Sequence, residues 1–169
     1  MNKILSILLL SCMSLLFVNC TSDDNGGYVN NVQAGSEVYD LRNVNFEYKN
    51  NGYQIYRAFD YALAEQDVIL IYRQAEVSNG TVYWEPIPKT FYLEDGNELD
   101  FTFDFSRNDI TIYAGGTFNL TGSDYIRNQT FRVVVIPAAQ GRSISPVNTQ
   151  DYNEVIKYYN INDKNIINL

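Results

Sequence analysis

The feature that most constrains this chain is a period-two alternation of apolar and polar residues along most of its length. Tyr, Phe, Val, Ile and Thr dominate the alternating segments, and these residue types favour extended strands. Turn signals such as Asn79-Gly80 separate most of the segments. The predicted strands lie near residues 37–48, 53–59, 68–77, 82–93, 98–106, 109–114 and 130–137. Seven short strands at this spacing predict an all-β fold, a seven-stranded antiparallel β-sandwich with immunoglobulin-like architecture.

The alternation also predicts which residues face each other across neighbouring strands. Short turns fix the register of a hairpin, and both partners must agree on the face that points inward. The predicted pairs are Val77 with Val82, Ala75 with Trp84, Leu93 with Leu99, Phe103 with Ile112, and Phe105 with Ile110.

Two prolines, Pro86 and Pro88, interrupt the segment at 82–93. Proline cannot donate to a strand ladder, so it belongs at an edge or a bend. We therefore expect 82–85 to pair with the strand at 68–77, and 90–93 to pair with the strand at 98–106 in the other sheet.

The C-terminal segment follows a helical period instead. Apolar residues recur there at the spacing of one helix face, after two candidate capping residues, Thr149 and Asp151. The apolar stripe consists of Tyr152, Val155, Ile156 and Tyr159. The strands at 68–77 and 130–137 are apolar on both faces, so a short helix over 150–159 is expected to cover their outer side.

The first twenty residues have the pattern of an export signal. Lys3 precedes a mostly apolar run from 4 to 18, which is shorter than a membrane-spanning helix needs. The run is followed by Asn19-Cys20-Thr21-Ser22-Asp23-Asp24, which resembles a lipoprotein cleavage site and the acidic surface-export signal of Bacteroidetes lipoproteins. We predict a signal peptide over 1–19, with Cys20 as the lipid-bearing first residue of the mature chain. An uncleaved anchor and cleavage at Cys12 are the alternatives.

Residues 20–35 combine the predicted lipidated cysteine with a segment of small polar residues. Ser, Asp, Asn and Gly are frequent there and large apolar residues are few, so this segment is expected to form a flexible stalk. The β-sandwich domain is predicted over 36–169. A lipid anchor on Cys20 would place it at the outer membrane, facing the periplasm or the cell surface.

Composition excludes several kinds of chemistry. The chain contains no histidine, and its two cysteines are Cys12, lost with the signal, and Cys20. Histidine-dependent triads, thiol nucleophiles, disulfides and His- or Cys-based zinc sites are therefore excluded, and no cofactor or metal site is predicted. Any metal would have to bind through oxygen ligands, as Ca²⁺ does. The net charge of −8 becomes −9 when Lys3 is removed with the signal, and it argues against nucleic acid as a partner.

One strand face gathers polar groups that could contact a ligand. It is expected to carry Thr90, Tyr92, Asp100, Thr102, Asp104, Thr111 and Tyr113. Two carboxylates with flanking hydroxyls suit a sugar or a cation, whereas an ordinary solvated sheet face is the simpler interpretation. Trp84 is either a glycan-stacking platform or a core residue.

The order and spacing of several segments resemble a family of uncharacterised lipoproteins from flavobacteria and their relatives. The matching strings are VILIYR at 68–73, WEPIP at 84–88, TFYL at 90–93, NDITIY at 108–113 and NQTFRVVVIPA at 128–138. The resemblance implies a multiply acylated Cys20 and a stable tether, and it transfers no activity or ligand. Many members carry a collagen-like glycine-rich repeat after the lipid cysteine, whereas this chain has only Asn25-Gly26-Gly27.

The sequence thus favours a lipid-anchored surface protein that binds or scaffolds without catalysis. A glycan-binding accessory module is the alternative, with a glycan or a protein as partner. A hydrolase that depends on a carboxylate pair is the remote alternative, because such enzymes need only two suitably spaced acids.

Overall fold

The computed structural model describes residues 36–137 and 147–169. The predicted signal peptide and stalk, including Cys20, lie outside these residues. The strands are β1 (Glu37–Val44), β2 (Glu47–Lys49), β3 (Gly52–Ala58), β4 (Val68–Ser78), β5 (Thr81–Ile87), β6 (Lys89–Tyr92), β7 (Glu98–Phe105), β8 (Asp109–Gly116), β9 (Gln129–Ile136) and β10 (Ile166–Asn168). A 3-10 turn lies at Asp124–Ile126, and one α-helix, α1, spans Tyr152–Tyr158.

The strands form two five-stranded sheets that pack face to face. The first sheet has the order β10-β1-β9-β4-β5, and the second has the order β2-β3-β8-β7-β6. The pairings are antiparallel, with the exception of β1 against β10. The predicted all-β, two-sheet class is confirmed. Among the described residues no helix is long and apolar enough to cross a membrane.

The structure divides the chain more finely than the alternation predicts. The segment at 37–48 splits after Val44, and its last part becomes β2 of the second sheet. The segment at 82–93 splits at the cis Ile87–Pro88 bond, so that β5 pairs with β4 and β6 pairs with β7. The predicted proline bend between the two sheets is therefore confirmed. The short strand β10 was not predicted.

Most predicted strand pairs are present, and two are wrong. The pairs Val77–Val82, Phe103–Ile112 and Phe105–Ile110 are confirmed. The partner of Trp84 is Gln74 rather than Ala75, because a bulge between Gln74 and Glu76 makes Ala75 an extra residue.

The other wrong pair concerns Leu93, since Leu99 faces Phe91 instead. Leu93 already belongs to the loop between β6 and β7, where its N–H donates to the Asn97 carbonyl oxygen at 2.8 Å. The shift is by two residues, so the same side chains still face the core.

The main core lies between the two sheets. Its centre is a group of aromatic rings on both sheets, in which Phe101 and Phe131 are fully buried with centroids 6.0 Å apart. Phe46 follows the end of β1 and contacts both rings. Burial of a phenylalanine side chain contributes about 1.5–3 kcal/mol, so this group is a large part of what holds the sheets together.

A second core lies on the outer side of the first sheet, beneath α1. Tyr152 and Val155 of the helix are buried against Val38, Tyr72 and Val134. The predicted position of the helix over the outer face of the two-sided strands is confirmed. Of the two predicted caps, Asp151 is the one used: its Oδ1 accepts from the N–H groups of Asn153 and Glu154 at 2.8 and 3.2 Å.

Candidate functional site

The structure places the seven predicted ligand-face residues on the outward side of the second sheet. Cross-strand pairing sets Thr102 beside Tyr113 and Asp104 beside Thr111. Asp100 pairs with Thr90, and its carboxylate lies over Gly115 of the neighbouring strand. Tyr92 is at the edge, opposite Glu98. The alternation therefore predicted the face correctly.

Two carboxylates on this face accept hydrogen bonds from tyrosines. The Tyr113 hydroxyl donates to Asp104 Oδ2 at 2.9 Å, and the Tyr56 hydroxyl donates to Asp109 Oδ2 at 3.2 Å. The hydrogen bond to Asp104, followed by burial, raises the pKa of Tyr113. Asp100 and Asp104 are four residues apart on one strand, or about 13 Å along its backbone. Catalytic carboxylate pairs stand about 5–10 Å apart, so these two acids do not have that spacing.

The aromatic residues considered for glycan stacking do not form one platform. Tyr92 and Tyr113 are on the second sheet, whereas Trp84 is on β5 of the first sheet. Tyr92 is 79% exposed and lines a surface cavity with Phe118 and Tyr125. These three residues therefore do not form a joint stacking surface. Across the described part of the chain no cluster of three or more His, Cys, Asp or Glu side chains could hold a metal ion.

A site that the sequence did not predict lies on the outer face of the first sheet. Asp40 of β1 and Arg132 of β9 are opposite each other and buried, with exposed fractions of 2% and 9%. Arg132 donates from Nε to Asp40 Oδ1 at 2.7 Å and from Nη2 to Asp40 Oδ2 at 3.0 Å. This two-point geometry is the strongest form of an arginine–carboxylate pair.

Three further residues extend this pair into a network. Arg42 donates from Nε and Nη2 to Asp40 Oδ2 at 3.1 and 2.9 Å. Arg132 Nη1 donates to the Tyr152 hydroxyl, which in turn donates to Asp163 Oδ2, each at 2.9 Å. We call Asp40, Arg42, Arg132, Tyr152 and Asp163 the polar network. It connects the sheet, the helix and the C-terminal segment.

The surroundings of Arg132 favour its charged form. Burial acts to lower the pKa of Arg132, but the hydrogen bond to Asp40 and the nearby charges outweigh it, so the pKa is raised. Burial also raises the pKa of the Tyr152 hydroxyl. The Arg132 guanidinium lies 4.4 Å from the centre of the Trp84 ring, a contact that favours the cation. Arg132 therefore remains charged, with a neutral tyrosine beside it, throughout the physiological pH range.

An open cavity lies above the network. It has a volume of about 290 Å³, and Trp84 forms one of its walls. Its remaining polar lining consists of Arg42, Asn43, Gln74 and Thr130, above Asp40 and Arg132. We call this the arginine cavity. A neighbouring cavity of about 410 Å³ lies between β5 and the start of α1, and Val82 and Trp84 border both.

Two β-bulges open onto the arginine cavity. The ladder between β1 and β9 is irregular between Leu41 and Val44, where Asn43 adopts a left-handed φ of 53°. The ladder between β4 and β5 is irregular just after Gln74. Bulges are frequent beside binding sites because they re-aim side chains out of a regular ladder. Both irregularities of the first sheet thus border the same cavity.

The sequence did contain a signal for this site. Arg132 has the same strand parity as Val134, and Asp40 has the same parity as Val38, on a face that is otherwise apolar. A charged residue on such a face needs a partner. A comparison of the chain with protein-family models, with curated proteins and with solved structures gives no match.

Proposed function

We propose that this chain is a lipid-anchored outer-membrane or cell-surface protein that binds or scaffolds without catalysis. Its support in the sequence is the apolar run that ends at Cys20, followed by an acidic segment. The family proposed for it is that of the flavobacterial lipoproteins that the sequence resembles. The absence of histidine and of any thiol other than Cys12 and Cys20 leaves few catalytic arrangements.

The position of the arginine cavity is the observation that carries this proposal. The predicted stalk would join the domain at the start of β1, beside Val38, where α1 covers the sheet. The cavity lies toward the other end of the sheet, near Asn43 at the end of β1 and Thr130 at the start of β9. In a domain tethered at the start of β1, the open polar cavity would therefore lie away from the point where the stalk joins the sheet.

A glycan-binding accessory module is the second candidate. The favouring observation is that the arginine cavity combines one aromatic wall with amide, hydroxyl and guanidinium groups. Small-molecule sites commonly combine an apolar surface with a few fixed polar groups. For the sandwich itself we propose an immunoglobulin-like type, supported by the mostly antiparallel strand pairing within its two packed sheets.

The anchor is tested by metabolic labelling with a radioactive fatty acid. We expect the label in the wild-type protein and in the control variant Cys12→Ala, and we expect it to be lost in Cys20→Ala. Protease treatment of intact cells then reports whether the domain faces outward. Label that persists in Cys20→Ala, or disappears in Cys12→Ala, contradicts the proposed anchor.

A further inference from the structure

We propose that the arginine cavity binds an acidic sugar, a ring that carries a carboxylate such as a hexuronate. This inference rests on the proposed binding function and names its ligand class. The charge of the cavity favours such a ligand. Two arginines and one carboxylate line it, which gives a local charge of +1 on a chain whose net charge is −8. An anionic group is attracted to this site and repelled by the protein as a whole.

Arg42 is the group best placed to receive a carboxylate. A guanidinium has five N–H donors, of which Arg42 uses two on Asp40. Its side chain is 57% exposed, so the remaining donors are accessible. Because Asp40 already orients the guanidinium, little conformational entropy is lost when a second carboxylate binds. The two-point geometry of the Asp40–Arg132 pair shows how the same fork can hold a ligand carboxylate.

The neutral groups of the cavity suit sugar hydroxyls. Neither the Gln74 side-chain amide nor the Trp84 indole N–H has a hydrogen-bond partner in the described part of the chain. The Thr130 hydroxyl accepts from the Asn43 backbone N–H at 3.3 Å and retains its own donor. The half-buried Trp84 side chain, whose ring also contacts the Arg132 guanidinium, adds an apolar wall to the cavity.

Size favours a saccharide over an extended peptide. A volume of about 290 Å³ is at the lower end of the range for small-ligand sites. The adjoining cavity beyond Trp84 is lined by the amide side chains of Asn148, Gln150 and Asn153, which suit further hydroxyls. The Asp151 carboxylate also lines it, and its Oδ1 accepts from two N–H groups at the start of the helix. One acidic unit in the arginine cavity, with the next unit reaching past Trp84, would use both spaces.

The test is calorimetric titration of the full-length chain, as the cell produces it, purified in detergent. The probes are digalacturonic acid and its neutral counterpart, a galactose disaccharide. We expect digalacturonic acid to bind with a Kd below about 1 mM and the neutral probe to bind at least tenfold more weakly. Arg42→Gln should weaken binding of the acidic probe about tenfold, because it removes the charge at an exposed position. The matched control Arg57→Gln, on the second sheet, should leave the Kd within about twofold.

A second variant separates a sugar from a simple carboxylate. Gln74→Ala should weaken digalacturonic acid several-fold and leave the weak binding of acetate unchanged. Equal affinity for the acidic and neutral probes, or an Arg42→Gln variant that binds like wild type, would overturn the inference. So would an acetylated dipeptide carboxylate that binds as tightly as the sugar. If uronate binding fails while Cys20 still carries lipid, the ligand class is wrong and the anchored surface function stands.

Discussion

Replacing Arg132 by methionine tests the energetic role of the polar network. The change removes both hydrogen bonds to Asp40 and leaves that carboxylate buried, with an exposed fraction of 2%. Loss of one partner of a buried ion pair costs about 3–5 kcal/mol. Arg42 still donates to Asp40, so we expect the lower end of the range, a loss of about 3 kcal/mol in the free energy of unfolding. Methionine keeps an apolar contact with Trp84, which limits the loss from packing.

A second substitution, at Asp40, is expected to restore the stability that Arg132→Met loses. In Arg132→Met combined with Asp40→Leu no buried charge is left unpaired in the sheet, because Arg42, which also loses Asp40, is 57% exposed. Stability should therefore return to within about 1 kcal/mol of wild type. Arg127→Met is the control, because its ion pair with Asp124 is exposed and should contribute about 1 kcal/mol or less. Urea unfolding is followed by the fluorescence of Trp84, the single tryptophan, and by circular dichroism. A loss below about 1 kcal/mol in Arg132→Met, or a double variant no more stable than the single one, refutes this reasoning.

Further predictions concern the helix and one close strand contact, and thermal unfolding followed by circular dichroism checks them all. Val155→Ala should lower the free energy of unfolding by about 2 kcal/mol, because this side chain is fully buried between α1 and the first sheet. Glu154 is exposed, so Glu154→Ala should change stability by less than about 0.5 kcal/mol. Equal effects would contradict the packing of α1. Asp151→Ala should lower the free energy of unfolding by about 1 kcal/mol through loss of the helix cap, whereas Asp151→Asn should keep most of the wild-type stability. An alanine variant as stable as wild type would count against the cap. Gly116→Ala should cost about 1–3 kcal/mol, because its Cβ would lie 2.7 Å from the Glu98 carbonyl oxygen; unchanged stability would show that the backbone can move.

The local pattern of the sequence was enough to predict most of the strands, the proline bend and the covering helix. Each of these depends on side-chain parity or on residue types with strong backbone preferences. The sequence did not predict how deeply each side chain of the helix is buried. Ile156, part of the predicted apolar stripe, is only half-buried, whereas Val155 beside it is fully buried. A helical period gives the face of a helix but not the depth at which each residue sits in the groove below.

The polar network shows where the pattern stops being sufficient. Asp40 and Arg132 are 92 residues apart, and they meet because β1 and β9 are neighbours in the first sheet. Alternation tells which way a side chain points and not which strand lies beside it. The bulge at Ala75 was missed for a related reason, since an extra residue is set by the partner strand.

The N-terminus of the mature protein is the most direct test of the proposed anchor. Mass spectrometry of the N-terminal peptide, from protein extracted in detergent, measures the first residue and its modification together. The proposal predicts a peptide that begins at Cys20 and is heavier by the mass of its acyl chains. A peptide that begins at Met1 or Cys12, or an unmodified Cys20, would contradict it.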